Sequence, residues 1–203
     1  QIREKSTPFY WGQWSAVGNE GSGSIIENLK EKILQLGGVI NLSETISQIY
    51  TKESRITAID TNKRVVNVGG GDVVINTTSY TQISKFFGYR TSLQYRGVIL
   101  VFLEVDTALV LPEGIDFVYI DDPKVHFNRV SDQNSFVKDK TKDSTIICCE
   151  ITYSASDHCD MMDENQLVKE VKGQFVTLGF CSNSQILDSK VIKLPEVYPM
   201  FFL

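Results

Sequence analysis

The sequence predicts an α+β fold with antiparallel or mixed sheet, and three features support this prediction. First, an apolar stripe at helical spacing runs from Ile25 to Leu36 and stops at Gly37 and Gly38. Second, short segments rich in Ile, Val and Thr follow the stripe and are separated by polar or glycine-rich turns. Third, the run "GVILVFLEV", residues 97–105, is almost continuously apolar, which is typical of a strand buried on both faces.

The first half of the chain is predicted to contain a long helix, a meander and a short helix. Ser24, with Glu27 three residues later, is typical of a capped helix start, and the apolar stripe that follows should lie against a sheet. The meander should be antiparallel and end in a buried strand, before the short helix "SYTQISKFFG". Its predicted strands are "VINL", "TISQIYT", "RITAIDT", "RVVNV" and "DVVINTT".

The second half of the chain is predicted to form a larger sheet with one helix. After the long strand "YRGVILVFLEVD", the predicted elements are strands in "IDFVYIDD", "VHFNRV" and "STIICCEITYS", a helix in "DENQLVKEVKGQFVTLGF" and a strand in "SKVIKL". The final "YPMFFL" and the early loop "FYWGQW" are apolar and aromatic. We expect neighbouring sequence to be missing and the uncovered faces to self-associate.

Composition argues against several classes of partner. The chain has 203 residues, a formal net charge of -5, 42% hydrophobic residues and 22% charged residues. Such a chain has no basic field for nucleic acid or anionic lipid. The longest apolar run is too short to span a bilayer, and the start lacks the pattern of a signal peptide. We therefore expect a soluble, cytoplasmic protein.

Three sequence features that could suggest chemistry favour structural roles instead. The cysteines Cys148, Cys149, Cys159 and Cys181 form no CxxC pair and are predicted to be buried, reduced thiols, so no metal site is expected. The segment "DHCD", residues 157–160, is predicted to be a solvated loop rather than a ligand cluster or a Cys-His pair. "VGGGDVV", residues 68–74, lies between two predicted strands and indicates a hairpin turn rather than a phosphate-binding loop.

A few charged and aromatic residues remain candidates for a site. Arg129 interrupts an apolar strand, so it lies on the wet face, pairs with a carboxylate such as Glu150, or is kept for an anionic ligand. Trp11 and Trp14 either stack on a ligand ring or hold their own loop in place. Tyr198, before a proline, is a site residue or a packing residue at the end of a strand.

The order of the elements resembles the central part of flavin-dependent amine oxidase and protoporphyrinogen oxidase-like proteins. The first part of the resemblance is the helix that stops at Gly-Gly, the meander, and "DVVINTTSYTQISKFFG" after it. The second part is similar to the branch that includes UDP-galactopyranose mutase and related polysaccharide-biosynthesis proteins. It is carried by "YRGVILVFLEVD", "DFVYIDDPKVHFNRVSDQNSF", "CCEITYS" and "VIKLPEVYP".

The resemblance covers nearly the whole chain and implies two parts. Residues 1–88 would be a helix and β-meander from an FAD-binding, Rossmann-like domain, and residues 89–203 would be a mixed-sheet substrate domain. By resemblance, the backbone of Ile46 would contact the adenine of FAD, Arg129 would face the flavin and substrate cleft, and Tyr198 would border the sugar-phosphate pocket. The family's G-x-G-x-x-G strand and its glycine-rich C-terminal flavin segment are absent, which indicates a central fragment.

Two hypotheses about function follow from these observations. The chain is the central fragment of an FAD-dependent oxidoreductase or nucleotide-sugar mutase of polysaccharide (lipopolysaccharide or capsule) synthesis, inactive and without bound FAD on its own. Alternatively, it is a non-catalytic module that binds a carbohydrate or a partner protein. A G-x-G-x-x-G strand, turn and helix in adjoining sequence would favour the flavoenzyme.

Overall fold

The computed structural model describes residues 21, 23–137 and 143–200, which form four helices, eight strands and two short 3₁₀ turns, Gln133–Phe136 and Asn183–Gln185. The α+β prediction is confirmed. The helices are α1 (Gly23–Gln35), α2 (Tyr80–Phe86), α3 (His158–Met161) and α4 (Glu164–Thr177). The strands are β1 (Ile46–Lys52), β2 (Arg55–Thr61), β3 (Val65–Asn67), β4 (Tyr95–Val105), β5 (Phe117–Tyr119), β6 (Arg129–Asp132), β7 (Thr145–Tyr153) and β8 (Ile186–Pro199).

The larger sheet has five strands in the order β5-β6-β7-β4-β8, and all of its pairings are antiparallel. The strand β7 pairs along its whole length with the long strand β4, from Gly97 opposite Tyr153 to Val105 opposite Thr145. The other edge of β4 pairs with β8. The predicted strand "GVILVFLEV" is therefore an inner strand, and the described part of the sheet is antiparallel rather than mixed.

Side chains alternate between two faces of this sheet, and the helices of the described residues cover only one of them. The core face carries Val101, Leu103, Ile147 and Cys149, which are fully buried, against the helix α4. Because α4 presents Leu167, Val171 and Phe175 at four-residue spacing, these three side chains point the same way and join the core. The opposite face, called the open face below, is partly exposed, so β4 is not fully buried on both faces.

The smaller sheet is the antiparallel meander β1-β2-β3. After it, the chain runs through an irregular segment to α2. Ser79 and Thr81, at the start of α2, donate hydrogen bonds to the carboxylate of Glu196 in β8. The division into residues 1–88 and 89–203 stays a prediction, with the small sheet in the first range and the large sheet in the second. No helix of the described residues combines the length and the apolar character that crossing a bilayer requires.

Three predictions for the first half are wrong. Helix α1 forms, but none of its residues is buried, so it does not lie against a sheet of the described chain. The segments "VINL" and "DVVINTT" are not strands, and residues such as Val39, Val73 and Ile75 are more than three-quarters exposed. An apolar, β-branched run becomes a strand only when a neighbouring backbone satisfies its hydrogen bonds. No described strand lies beside either segment.

Four further predictions are settled by the local geometry. The glycine cluster forms a turn, but no strand follows it, so it is not a hairpin. "DHCD" is not a loop: Asp157 caps α3, and Cys159 is buried. The last strand continues past "SKVIKL" to Pro199. The prediction of buried thiols is confirmed for Cys148, Cys149 and Cys159, whereas Cys181 is half-buried. Trp11 and Trp14 lie outside the described residues.

Gly97 is expected to be required where β4 passes under Tyr153. A Cβ atom placed on Gly97 would lie 2.3 Å from the Tyr153 ring, whose side chain is buried. We expect Gly97→Ala to lower the free energy of unfolding by about 1–3 kcal/mol, because the ring must move out of a packed position. Urea denaturation of the chain measures this change.

Gly173 in α4 provides a matched control. It is exposed, and a Cβ atom there would meet nothing within 4 Å. Gly173→Ala should raise stability by about 0.5–1 kcal/mol, because alanine is favoured over glycine inside a helix. Adding Tyr153→Leu to Gly97→Ala should recover part of the loss. Equal stability of Gly97→Ala and the wild type would show that the ring does not constrain this position.

Candidate functional site

The open face of the five-stranded sheet carries charged residues at both ends and apolar residues beside them, with Glu104, Asp188 and Lys190 at the end away from Arg96. Strand alternation places Arg96, Arg129 and Glu150 on this face, across from the core residues of the same strands. Exposed Ile146, Ile192 and Leu194 also lie there. A charge on this face avoids the cost of entering the core, which explains why apolar strands contain charged residues at these positions.

Arg129 and Glu150 form an ion pair across two neighbouring strands. The two residues are directly opposite each other in the β6–β7 register, and Nη2 of Arg129 donates to Oε2 of Glu150. The Arg129 side chain is 35% exposed and the Glu150 side chain 13% exposed. Glu150 is thus the partly buried member, and Arg129 is the member that solvent or a ligand can reach.

The guanidinium of Arg129 is also held by aromatic rings of β5. Its Cζ atom lies 5.9 Å from the centroid of the Phe117 ring, and Tyr119 is directly opposite Arg129 in the β5–β6 register. Burial lowers the pKa of Arg129, but Glu150 and the hydroxyl of Tyr119 together outweigh this effect and raise it. Nε of Arg129 is buried and has no hydrogen-bond partner among the described residues. The guanidinium is therefore fixed in place but keeps donor capacity.

A cavity of about 450 Å³ opens above this pair, and its size is typical of small-ligand sites. Its wall is formed by side chains from all five strands. Arg96 and Tyr198 meet there because they are opposite each other in the β4–β8 register. The polar residues of the wall include Arg96, Tyr119, Asn128, Arg129, Glu150, Thr152 and Tyr198.

The structure brings two of the three sequence-predicted site residues together. Arg129 and Tyr198 line this cavity, whereas Ile46, at the start of β1, lines a separate cavity of about 430 Å³ beside α2. Ile46 is half-buried there. The roles assigned to these residues by resemblance stay predictions.

Sequence analysis missed Arg96 and Tyr119, which line the same cavity. Arg96 is exposed and has no ion-pair partner in the part of the chain that the structure describes. In the sequence, the signal for Arg96 is a single charge within an apolar strand, as for Arg129. With two arginines and one glutamate, the wall carries an excess of positive charge. The arrangement can bind an anion, and guanidinium forks suit carboxylate or phosphate oxygens.

The cysteines near the site are poor nucleophiles. Cys148 lies on the open face next to Glu150 in β7, and burial, followed by the charge of Glu150, raises its pKa to about 12. Burial also raises the pKa of Cys149 and of Cys159. A thiol with a raised pKa is protonated at neutral pH, and only the thiolate attacks electrophiles or binds metal. Thiol chemistry is therefore not a function of this site.

The glycine triplet at residues 69–71 does not fit the diphosphate of FAD. Dinucleotide diphosphates bind to a glycine-rich turn that follows a strand and opens a helix, whereas the glycine triplet at residues 69–71 follows β3 but opens no helix. The backbone N–H of Gly69 donates to the carboxylate of Asp72 at 2.7 Å, so this turn carries a negative charge of its own. Nη2 of Arg55 donates to the carbonyl of Gly70 at 2.8 Å, so the turn is already occupied by hydrogen bonds from its own neighbours.

Comparison with solved structures identifies the fold. The chain is similar to reduced UDP-galactopyranose mutase, with a TM-score of 0.70 and 13% identity over 87% of the chain. It is also similar to a provisionally assigned protoporphyrinogen oxidase from Exiguobacterium sp. 255-15, with a TM-score of 0.66 and 15% identity over 88% of the chain. An oxidoreductase from Methanosarcina mazei matches with a TM-score of 0.50 and 15% identity over 87% of the chain.

These similarities confirm the fold that the order of the elements predicted. The chain spans about 40% of the length of the first two structures and 43% of the third. No protein-family model matches the sequence, and a search of curated proteins finds no significant relative. The chain thus has the fold of part of these larger proteins.

Replacing Arg129 by Met should destabilise the chain, because the carboxylate of Glu150 would lose its cation while staying largely buried. We expect a loss of about 1–3 kcal/mol in the free energy of unfolding, less than for a fully buried pair. Adding Glu150→Gln to Arg129→Met should reduce the loss, because no uncompensated charge remains. Urea denaturation at neutral pH measures both variants.

Arg96→Met is the matched control for this experiment. It removes an arginine from the same cavity, but one that is exposed and unpaired among the described residues. Its stability should stay within about 0.5 kcal/mol of the wild type. If Arg129→Met were as stable as Arg96→Met, the ion pair would not stabilise the sheet.

Proposed function

We propose that this chain is the central part of an FAD-dependent nucleotide-sugar mutase or oxidoreductase of polysaccharide synthesis, and that its open sheet face binds the substrate. The observation that carries the proposal is the position of Arg129 and Tyr198 in one cavity on a fold shared with UDP-galactopyranose mutase. The mutase carries this fold in a chain more than twice as long. In the complete protein, FAD would supply the chemistry, and the residues of this chain would bind and orient the substrate.

The charge and shape of the cavity support a nucleotide-sugar substrate. The Arg129 side chain is 35% exposed and its position is fixed by Glu150, so its accessible N–H groups would bind diphosphate oxygens without losing much side-chain entropy. Arg96 supplies a second positive charge at the same wall. The exposed hydroxyls of Tyr119 and Tyr198 are suited to hydrogen bonds with a sugar.

Exposed apolar surface supports a larger parent protein. All the apolar residues of the stripe from Ile25 to Leu36 are at least 44% exposed, and Ile26, Leu29 and Leu36 are more than half exposed. The open face also leaves Ile146, Ile192 and Leu194 about two-fifths exposed. Contiguous apolar surface of this kind is normally covered by another domain or subunit. We propose that the rest of the FAD-binding domain covers it, and that the chain alone self-associates.

The test compares this chain with the complete protein that contains it. The purified 203-residue chain should be colourless, and the complete protein should show flavin absorbance and turn over a UDP-hexose. In the complete protein, Arg129→Lys should weaken substrate binding by about tenfold or more, because lysine keeps a charge for Glu150 but loses the bidentate fork. Flavin content should not change. Steady-state kinetics and flavin absorbance measure these quantities.

Two control variants, Arg90→Lys and Tyr50→Phe, test whether the kinetic effects are specific to residues of the cavity. Arg90→Lys changes an exposed arginine outside the cavity and should leave kinetics unchanged. Tyr198→Phe should raise KM, whereas Tyr50→Phe, at a tyrosine of the same 49% exposure on the small sheet, should not. A complete protein without flavin would contradict the flavoenzyme and favour a binding module. If Arg129→Lys had the kinetics of the wild type, Arg129 would have no role in substrate binding.

A further inference from the structure

Two histidines and a glutamate from three separate segments meet beside α4. His126 lies just before β6, His158 is the first residue of α3, and Glu170 is in α4. One nitrogen of each histidine and one carboxylate oxygen of Glu170 all lie within 4.8 Å of one another. None of the three residues lines the cavity that contains Arg129. The group is therefore distinct from the site proposed above.

Hydrogen bonds fix two of the three side chains in place. Nε2 of His126 is 2.6 Å from Oε2 of Glu170, and these side chains are 18% and 34% exposed. The other oxygen of Glu170 accepts a hydrogen bond of 3.0 Å from the amide of Gln166. Such outer partners hold a ligand in the orientation that a metal ion needs.

The segment that carries His126 is also tied to α4 through Gln174. The side-chain oxygen of Gln174 accepts a hydrogen bond of 2.9 Å from the backbone N–H of His126, and its amide nitrogen donates to the carbonyl of Lys124 at 3.2 Å. The next residue, Phe127, is buried and packs against Phe175 of α4, with ring centroids 6.5 Å apart. The backbone at His126 is thus held in register with Glu170.

We propose that His126, His158 and Glu170 form a binding site for a divalent transition-metal ion, with zinc as the occupant. Two imidazoles and one carboxylate are a ligand set that zinc prefers, and a water molecule would complete the tetrahedron.

The spacing needs only a small adjustment to receive the ion. Two ligand atoms of a tetrahedral zinc ion are about 3.3 Å apart, given bonds of about 2.0–2.1 Å. The contact between His126 and Glu170 would open from 2.6 Å, and the nitrogen of His158 would close from no more than 4.8 Å. His158 is exposed at the start of a four-residue helix, so its ring can turn toward the ion.

An ion at this position would join α3 and α4, which are neighbours in sequence, to the segment before β6, which lies earlier in the chain. It would tie α3 and the segment before β6 to α4, on the helical side of the large sheet. The sequence predicted no metal site because the cysteines form no CxxC pair and the residues of "DHCD" were interpreted as a loop. His126 and Glu170 lie outside that segment, so no short spacing in the sequence indicates that they meet His158. The ion would hold in place the segment that leads into β6, whose first residue is Arg129.

Calorimetric titration of the untagged chain with Zn²⁺ tests the proposal. We expect one ion per chain for the wild type. His158→Ala and Glu170→Gln should each weaken binding by at least about tenfold, since even outer partners of metal ligands change affinity by about 10–100-fold. Glu164→Gln, at an exposed glutamate in the first turn of the same helix, should bind Zn²⁺ like the wild type.

Cobalt spectroscopy separates this site from the cysteines. Co²⁺ bound by nitrogen and oxygen should give weak visible bands that disappear in His158→Ala, whose exposed position makes misfolding an inadequate explanation. A strong thiolate charge-transfer band would place the ion on cysteine and overturn the proposal. The proposal would equally be overturned by a wild type that does not bind Zn²⁺, or by variants that bind as tightly as Glu164→Gln.

Discussion

The alternation of side chains along β4, β6 and β7 is the constraint on which the rest of the structure depends. Every second residue of these strands enters the core against α4, so each remaining residue must face the other way. The antiparallel register then decides which outward residues meet. It places Arg129 opposite Glu150 and Tyr119, and Arg96 opposite Tyr198, so that the Arg129 cavity is assembled from all five strands.

The two interpretations of Arg129 are compatible in this geometry. An arginine has five N–H donors, and the bond with Glu150 leaves most of them available. Pairing offsets the cost of placing a partly buried charge on the sheet, and it also fixes the guanidinium before a ligand arrives. A ligand role for Arg129 therefore does not compete with its structural role.

Elements whose apolar residues pack against other described parts of the chain could be predicted from the sequence. The strands β4 and β7 and the helix α4 have apolar patterns that find partners within the described chain. "VINL", "DVVINTT" and the apolar side of α1 have equally clear patterns but lack such partners, and pattern alone does not reveal this. The members of the candidate site were only partly predictable. A charge in an apolar strand marks Arg129 and Glu150, whereas their pairing, and the meeting of His126 with Glu170, depend on register and tertiary packing.

We propose that the end of the open face that carries Arg96 and Arg129 binds an anionic nucleotide. The most direct measurement is nuclear magnetic resonance of the ¹⁵N-labelled chain during titration with uridine diphosphate. The account predicts shifts that saturate and cluster at Arg96, Arg129, Thr152 and Tyr198, and that are lost in Arg129→Met. Shifts confined to the cavity beside Ile46, or an unchanged spectrum at millimolar ligand, would contradict it.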